Sequence, residues 1–137
     1  MRYYIDTNIL IYIFRDKSLL DSSVREIIED YENSIYISSE CVKEFIHLIQ
    51  NDRINTKQPL KTQGIVYFIK ELGYTIKYTT EQHLATLENL PIVSNHNDPN
   101  DRLIIAQAIT EKIPLISSDT KFEHYKKYNL KFIYNKK

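Results

Sequence analysis

Cysteine, glycine and proline are scarce in this sequence, and each scarcity excludes a class of structure. Cys41 is the only cysteine, so no disulfide can form within the chain, as is usual for proteins of a reducing cytoplasm. Two glycines and four prolines leave little room for a flexible linker. We therefore expect residues 1–137 to form a single compact domain in the cytoplasm.

The sequence also lacks an excess of positive charge and a long apolar segment. Its 18 basic and 18 acidic residues give a formal net charge of zero, whereas proteins that coat nucleic-acid duplexes are usually basic. No apolar run approaches the roughly 20 residues that span a bilayer, and Asp6 follows the first residue too closely for a secretory signal. We expect no membrane association, and only a local basic surface for nucleic acid.

Strand-like and helix-like segments alternate along the chain. The patterns predict strands at residues 2–5, 34–37, 74–78, 114–117 and 130–134. They predict helices at residues 7–15, 18–31, 38–51, 60–72, 80–90, from 98 through the apolar "LIIAQAI", and at 120–127. This order predicts an α/β fold with a central, mainly parallel β-sheet flanked by helices on both faces. Ligand sites in such sheets lie outside the carboxyl ends of the strands.

Acidic residues lie where that edge of the sheet is expected. Asp6 follows the first strand, Asp119 follows "PLISS", and Asp98 and Asp101 stand in "NDPND" at the start of the apolar helix. Each acid, taken alone, can be an ordinary helix cap or first-turn charge. Gathered at one edge, however, the carboxylates would repel one another unless a cation joined them. Oxygen ligands without a cysteine or histidine cluster favour Mg²⁺ or Mn²⁺ over zinc.

The helix at residues 38–51 offers two further acids, Glu40 and Glu44. At 3.6 residues per turn, Glu44 borders the apolar face beside Leu48, whereas Glu40 lies further into the polar side. We therefore predict that Glu44 reaches the interior site. His96 precedes "NDPND" and could approach a phosphate, but the four histidines share no metal-ligand spacing, so an ordinary loop residue is the favoured interpretation.

Four stretches of this sequence resemble the PIN-domain family, and most closely the VapC-type toxins of type II toxin–antitoxin modules. They are "YIDTNILIY", "SSECVKEF", "HNDPNDRLIIAQAI" and "PLISSDTKFEHY", which together extend over nearly the whole chain. The third stretch is the most specific, because it is similar to the "DPFDRLLIAQA" signature of one VapC branch. Asn100 stands where that branch usually has an aromatic residue.

The resemblance implies a metal-dependent endoribonuclease that hydrolyses RNA to 5′-phosphate and 3′-hydroxyl ends and is neutralised by a cognate antitoxin. It implies a homodimer, and Mg²⁺ or Mn²⁺ as the cofactor. The positions that match the family's catalytic metal ligands are Asp6, Glu44, Asp101 and Asp119. The positions that match its supporting residues are Thr7, Asn8, Asp98 and Ser118.

Basic residues could form a local RNA-binding surface beside these acids, although solvated surface charge is the simpler interpretation. The candidates are Arg15, Lys17, Arg102 and Lys121, with Arg53 and Lys57 as further possibilities. Two other functions stay open: a PIN nuclease that processes RNA or acts on DNA, and a non-catalytic binding module whose acids are only helix caps. A receiver-type signalling module is disfavoured, because "IDTN" supplies one acid and "ISSD" supplies no lysine.

Overall fold

Strands and helices alternate in the structure, a computed structural model that describes residues 1–51 and 64–137. The β-strands are Arg2–Ile5 (β1), Ser34–Ser38 (β2), Thr75–Lys77 (β3), Leu115–Ser117 (β4) and Phe132–Tyr134 (β5). The α-helices are Thr7–Arg15 (α1), Ser22–Glu29 (α2), Ser39–Gln50 (α3), Gly64–Glu71 (α4), Glu81–Glu88 (α5) and Pro99–Glu111 (α6). Two 3₁₀ helices span Lys17–Leu19 and Thr120–Tyr128. The predicted α/β fold is confirmed.

The strands form one parallel sheet in the order β3-β2-β1-β4-β5. β1 lies at the centre, where Tyr4 aligns with Tyr36 of β2 and with Leu115 of β4. Tyr4 and Ile5 point to opposite faces of the sheet, and both are fully buried. Both faces of the sheet are therefore covered, and the carboxyl ends of its strands share one edge.

The helix predicted at residues 18–31 is divided in the structure. A short 3₁₀ helix is followed by α2, which begins after Asp21. The Asp21 carboxylate accepts a hydrogen bond from the Val24 main-chain N at 2.9 Å and so caps a new helix. In the predicted helix at 60–72, α4 is seen from Gly64 onward. Residues 60–63, Arg53 and Lys57 lie outside the described part of the chain.

Helix α6 passes through the interior and brings its N-terminus to the carboxyl edge of the sheet. Residues 104–108 are all buried, so every side of this helix is covered, as its apolar sequence predicts. Because α6 runs directly into the start of β4, its first turn must lie at the opposite edge, beside the ends of the strands. No helix in residues 1–51 or 64–137 combines the length and apolarity needed to cross a membrane.

Candidate active site

Asp6 joins β1 to α1, and three donors hold its buried carboxylate. Oδ1 accepts a hydrogen bond from the Thr7 main-chain N at 2.7 Å, which caps α1. Oδ2 accepts from the Ser117 hydroxyl at 2.7 Å and from Asn8 Nδ2 at 3.2 Å. Asp6 therefore caps a helix and is also held against β4, so its role as a cap is compatible with a place in an acidic site.

Asp98 and Asp101 lie in the first turn of α6. The Asp98 Oδ1 atom accepts hydrogen bonds from the main-chain N atoms of Asn100, at 2.9 Å, and Asp101, at 3.1 Å. Pro99 occupies the first helical position, where the missing N–H costs nothing. With the cap supplied by Asp98, the Asp101 carboxylate is left to contact the interior, where Oδ2 lies 3.1 Å from His96 Nε2.

Asp119 follows β4 and begins the second 3₁₀ helix. Its Oδ1 accepts from the Lys121 main-chain N at 2.9 Å, while its own N–H donates to Ser117 Oγ at 3.0 Å. The Ser117 hydroxyl thus links Asp119 to the carboxylate of Asp6. His96, Asp101 and Asp119 each offer one ligand atom, and these atoms all lie within 4.8 Å of one another.

The electrostatics show that the acids at this edge affect one another. Burial and then the charge of Asp6 raise the pKa of Asp101 to about 8, with further contributions from Asp98, Asp119 and Glu44. Burial is also the main reason that the pKa of Asp6 is raised to about 6, and Asp119 and Asp98 add to it. The folded protein therefore places several carboxylates where negative charge is unfavourable without a cation.

Glu44 and Glu40 face different surroundings on α3. Burial and the charges of Asp6 and Asp98 raise the pKa of Glu44, so this side chain lies on the side of the acidic cluster. Glu40 instead pairs with Lys43, whose Nζ is 2.7 Å away and whose side chain is exposed. The structure thus brings Glu44 toward the cluster, in agreement with the helical spacing.

His96 is buried beside the cluster, although the sequence favoured an ordinary loop residue. Its Nε2 atom lies 3.1 Å from Asp101 Oδ2, and its Nδ1 atom lies 2.7 Å from the Tyr125 hydroxyl. The one sequence signal was its position just before "NDPND". Spacing could not reveal the second contact, because Tyr125 is 29 residues further along the chain.

Among the predicted supporting residues, Asn8 and Ser118 form a bridge behind Asp6. Asn8 accepts from the Ser118 main-chain N at 3.2 Å and donates to Asp6. The Ser118 hydroxyl faces away and donates to the Asn135 main-chain oxygen at 3.0 Å. The hydroxyl that contacts Asp6 belongs to Ser117, the last residue of β4, one residue earlier.

Arg102 and Lys121 are both near the cluster but differ in their contacts. The Arg102 guanidinium donates to the main-chain oxygens of Leu90, at 2.7 Å, and Pro91, at 3.0 Å, so its contacts are internal. Lys121 is exposed, and its charge contributes to lowering the pKa of His96 after the larger effect of burial. Of these two, Lys121 is the more exposed, and its side chain is the better placed to contact a nucleic acid.

Arg15 and Lys17 lie away from the cluster. Arg15 is in the last turn of α1, and Asp6 caps the first turn. At a rise of 1.5 Å per residue, this helix separates the two by about 13 Å. Both basic residues are exposed, so they could contact RNA only at a distance from the acids.

The donor set fits a hard divalent cation. The ligand atoms that lie together are carboxylate oxygens of Asp101 and Asp119 and a ring nitrogen of His96, and Asp6 is close enough to raise the pKa of Asp101. Carboxylate oxygens suit Mg²⁺ and Mn²⁺, and a cation would offset the repulsion that raises these pKa values. The fold and this cluster together define an α/β protein with a candidate acidic metal site on its sheet edge.

The family follows from a direct match. A family model described as the PIN domain matches residues 3–128, and the chain belongs to the PIN-domain family. Members of this family are generally nucleases, and they generally use divalent metal ions. A comparison with curated proteins found no match.

Solved structures with the same fold come from VapBC assemblies. A chain of VapBC2 from Rickettsia felis, solved with a promoter DNA fragment, is 20% identical with a TM-score of 0.70, over 98% of each chain. A chain of VapBC-1 from nontypeable Haemophilus influenzae is 19% identical with a TM-score of 0.60, also over 98% of each chain. A chain of DNA-bound VapBC from Salmonella typhimurium is 13% identical with a TM-score of 0.63, over 97% of each. At these identities the similarity establishes the fold.

Proposed function

We propose that this protein is a VapC-like toxin, a Mg²⁺- or Mn²⁺-dependent endoribonuclease whose single domain comprises residues 1–137. The observation that carries the proposal is the cluster of acids at the carboxyl edge of the sheet, where burial and mutual repulsion raise the pKa of Asp101 to about 8. A group of carboxylates that is unfavourable without a cation is what a hydrolytic metal site requires. The family match supports the same chemistry.

In this proposal Asp6, Glu44, Asp101 and Asp119 hold the metal ion. When bound, the ion supplies Lewis-acid activation of water and neutralises charge at the phosphate. The protein's own groups keep the ligands in place. The Ser117 hydroxyl donates a hydrogen bond to the Asp6 carboxylate and accepts one from the Asp119 main-chain N–H. Hydrolysis of this kind needs no covalent enzyme intermediate, so we expect products with 5′-phosphate and 3′-hydroxyl ends.

Helix capping does not account for all the oxygen atoms of these acids. The caps at Asp98 and Asp119 each use Oδ1, and Asp119 is among the residues that offer a ligand atom to a shared position. A non-catalytic module would need the caps but not the clustering. We therefore favour the nuclease over a binding module, and RNA over DNA on the family resemblance.

The surface of α4 is the proposed binding site for an antitoxin. Val66, Tyr67 and Phe68 are consecutive apolar residues with 45%, 50% and 38% of their surface exposed. Phe68 also packs on Phe14 of α1, with ring centroids 4.6 Å apart, so the exposed apolar surface of α4 lies beside α1. VapBC structures share this fold over nearly the whole chain, which supports an antitoxin as the occupant. We also propose a homodimer.

Substitution of Asp119 by asparagine tests the proposed site with little effect on folding. Asparagine is an equally good helix cap, so the contact with the Lys121 main-chain N can be kept. We expect RNA cleavage to fall at least 100-fold, since a charged ligand is lost. Asp30→Asn is the matched control, because the Asp30 carboxylate also accepts from the main-chain N two residues later, at 2.9 Å, but in an exposed turn.

Cleavage of a purified RNA should be measured with excess Mg²⁺ and with a chelator, and the product ends should be identified. Wild-type activity in Asp119→Asn would contradict the site assignment. Equal cleavage with and without the chelator would contradict the metal dependence.

A further inference from the structure

A series of hydrogen bonds with a buried centre connects α6 to the second 3₁₀ helix and ends on Asp101. Arg102 Nη1 donates to the Tyr125 hydroxyl at 3.4 Å, and that hydroxyl lies 2.7 Å from His96 Nδ1. On the other side of the ring, His96 Nε2 lies 3.1 Å from Asp101 Oδ2. Tyr125 is fully buried and His96 is 4% exposed, whereas the Asp101 side chain at the end of the series is 22% exposed.

The donors in this series fix the tautomer of His96. An arginine side chain only donates, so the Tyr125 oxygen accepts from Arg102. The Tyr125 proton then has His96 Nδ1 as its acceptor, and a neutral ring that accepts at Nδ1 carries its proton on Nε2. A proton on Nδ1 would instead leave the buried Tyr125 proton without an acceptor in the hydrogen bonds of the described residues.

The Nε2 proton determines what His96 can do at the acidic cluster. A nitrogen that carries a proton has no lone pair to give to a metal ion. It can donate to Asp101 Oδ2, and this contact fixes how the Asp101 carboxylate is turned. Partners that orient a metal ligand in this way commonly change metal affinity by a factor of roughly 10 to 100 when they are removed.

We propose that His96 is a positioning residue, set in one tautomer by Tyr125 and Arg102, that orients Asp101 for metal binding without itself coordinating the metal. This inference rests on the proposed function, since it assumes that Asp101 is a metal ligand. It adds His96, Tyr125 and Arg102 to the residues on which the site depends, and none of the three needs to contact the metal or the RNA.

The experiment uses Mn²⁺ as the probe and the full chain as the protein. The signal of free Mn²⁺ in electron paramagnetic resonance gives the Kd, and the spin-echo spectrum of bound Mn²⁺ reports whether a nitrogen is coordinated. For the wild type we expect Mn²⁺ binding without a directly coordinated nitrogen. For Tyr125→Phe, which keeps the ring but frees His96 Nδ1, we expect affinity to fall about 10-fold.

Two further variants separate positioning from loss of structure. His96→Gln keeps an N–H donor of similar reach and should retain more Mn²⁺ affinity than His96→Leu, which keeps none. Tyr74→Phe removes another partly buried hydroxyl and should bind Mn²⁺ as the wild type does. The melting temperature of each metal-free variant shows whether it is folded.

The outcomes distinguish this inference from the proposed function. A coordinated nitrogen in the wild type that disappears in His96→Gln would make His96 a ligand and overturn the inference, while leaving the metal site intact. Unchanged affinity in folded Tyr125→Phe and His96→Leu would also overturn it alone. Absence of Mn²⁺ binding by the wild type would overturn both.

Discussion

Removing the charge of Asp101 should stabilise the metal-free protein at neutral and alkaline pH. Burial and the neighbouring acids raise the pKa of Asp101 from 3.8 to about 8. Because the pKa is higher in the folded state, the folded protein keeps a proton that the unfolded chain has already released. The free energy of unfolding therefore falls as pH rises from about 4 to about 8, and the full loss of stability is present above that range.

The size of this effect can be bounded from the pKa. A difference of one unit in pKa between the folded and unfolded states corresponds to about 1.4 kcal/mol. The raised pKa of Asp101 therefore sets an upper limit of roughly 6 kcal/mol on the loss of stability. Access of solvent to a carboxyl that is only half-buried lowers this value, and we expect Asp101→Asn to gain about 2 kcal/mol at pH 8. For a domain of this size the gain corresponds to about 6–8 °C in Tm. At pH 4 the difference should nearly vanish.

Differential scanning fluorimetry at pH 4, 6 and 8, with a chelator and then with Mn²⁺, measures both effects. At a hundredfold excess over Kd, a bound ion adds about 2.7 kcal/mol to the wild type, and Asp101→Asn should respond less. Glu40→Gln, an α3 acid paired with Lys43, is the control for removing a negative charge. If Asp101 is only a favourable first-turn charge, the variant melts lower at pH 8 and Mn²⁺ acts no differently from ionic strength. That result would contradict a metal site at Asp101.

Two further predictions concern α3 and the α4 surface. Glu44→Gln should lose RNA cleavage and most of the Mn²⁺-dependent rise in Tm, whereas Glu40→Gln should keep both, because only Glu44 is turned toward the acids. The reverse result would place Glu40, and not Glu44, at the metal site. Tyr67→Asp should weaken antitoxin binding in a titration calorimeter at least 10-fold without loss of cleavage, since it puts a charge into the exposed apolar surface of α4. Leu84→Asp, at an equally exposed apolar position on α5, should bind the antitoxin normally, and equal binding by both variants would remove α4 from the interface.

Local signals in the sequence were sufficient for much of the fold. The bounds of β1 and α1 were predicted correctly, because a short apolar run followed by a capping residue, here Asp6, is a strong local pattern. The burial of α6 followed from its apolar composition. The sequence did not predict that the helix at residues 18–31 is divided after residue 19, because Asp21 lies within a continuous helical pattern. The capping contact of Asp21 with Val24 became clear only in the structure.

Contacts between distant parts of the chain could not be predicted in the same way. Ser117 is 111 residues from Asp6, and nothing in "PLISSD" shows which of its two serines faces that carboxylate. The burial of His96 depends on Tyr125, whose position is set by the packing of the second 3₁₀ helix. The internal role of Arg102 likewise depends on two main-chain oxygens that lie before the start of α6.

Because Asp6 and Asp119 use their carboxylate oxygens differently, the same codon change has different effects at these two positions. Aspartate and asparagine codons differ by one base, and at Asp119 the change keeps the cap that Oδ1 provides. At Asp6 both oxygens accept hydrogen bonds, so an amide there would turn its NH₂ group toward existing donors, at a cost of about 1–3 kcal/mol. Under the proposed function, a single base change at codon 119 would yield a folded, inactive protein that still binds the antitoxin. The same change at codon 6 would lower the stability of the protein itself.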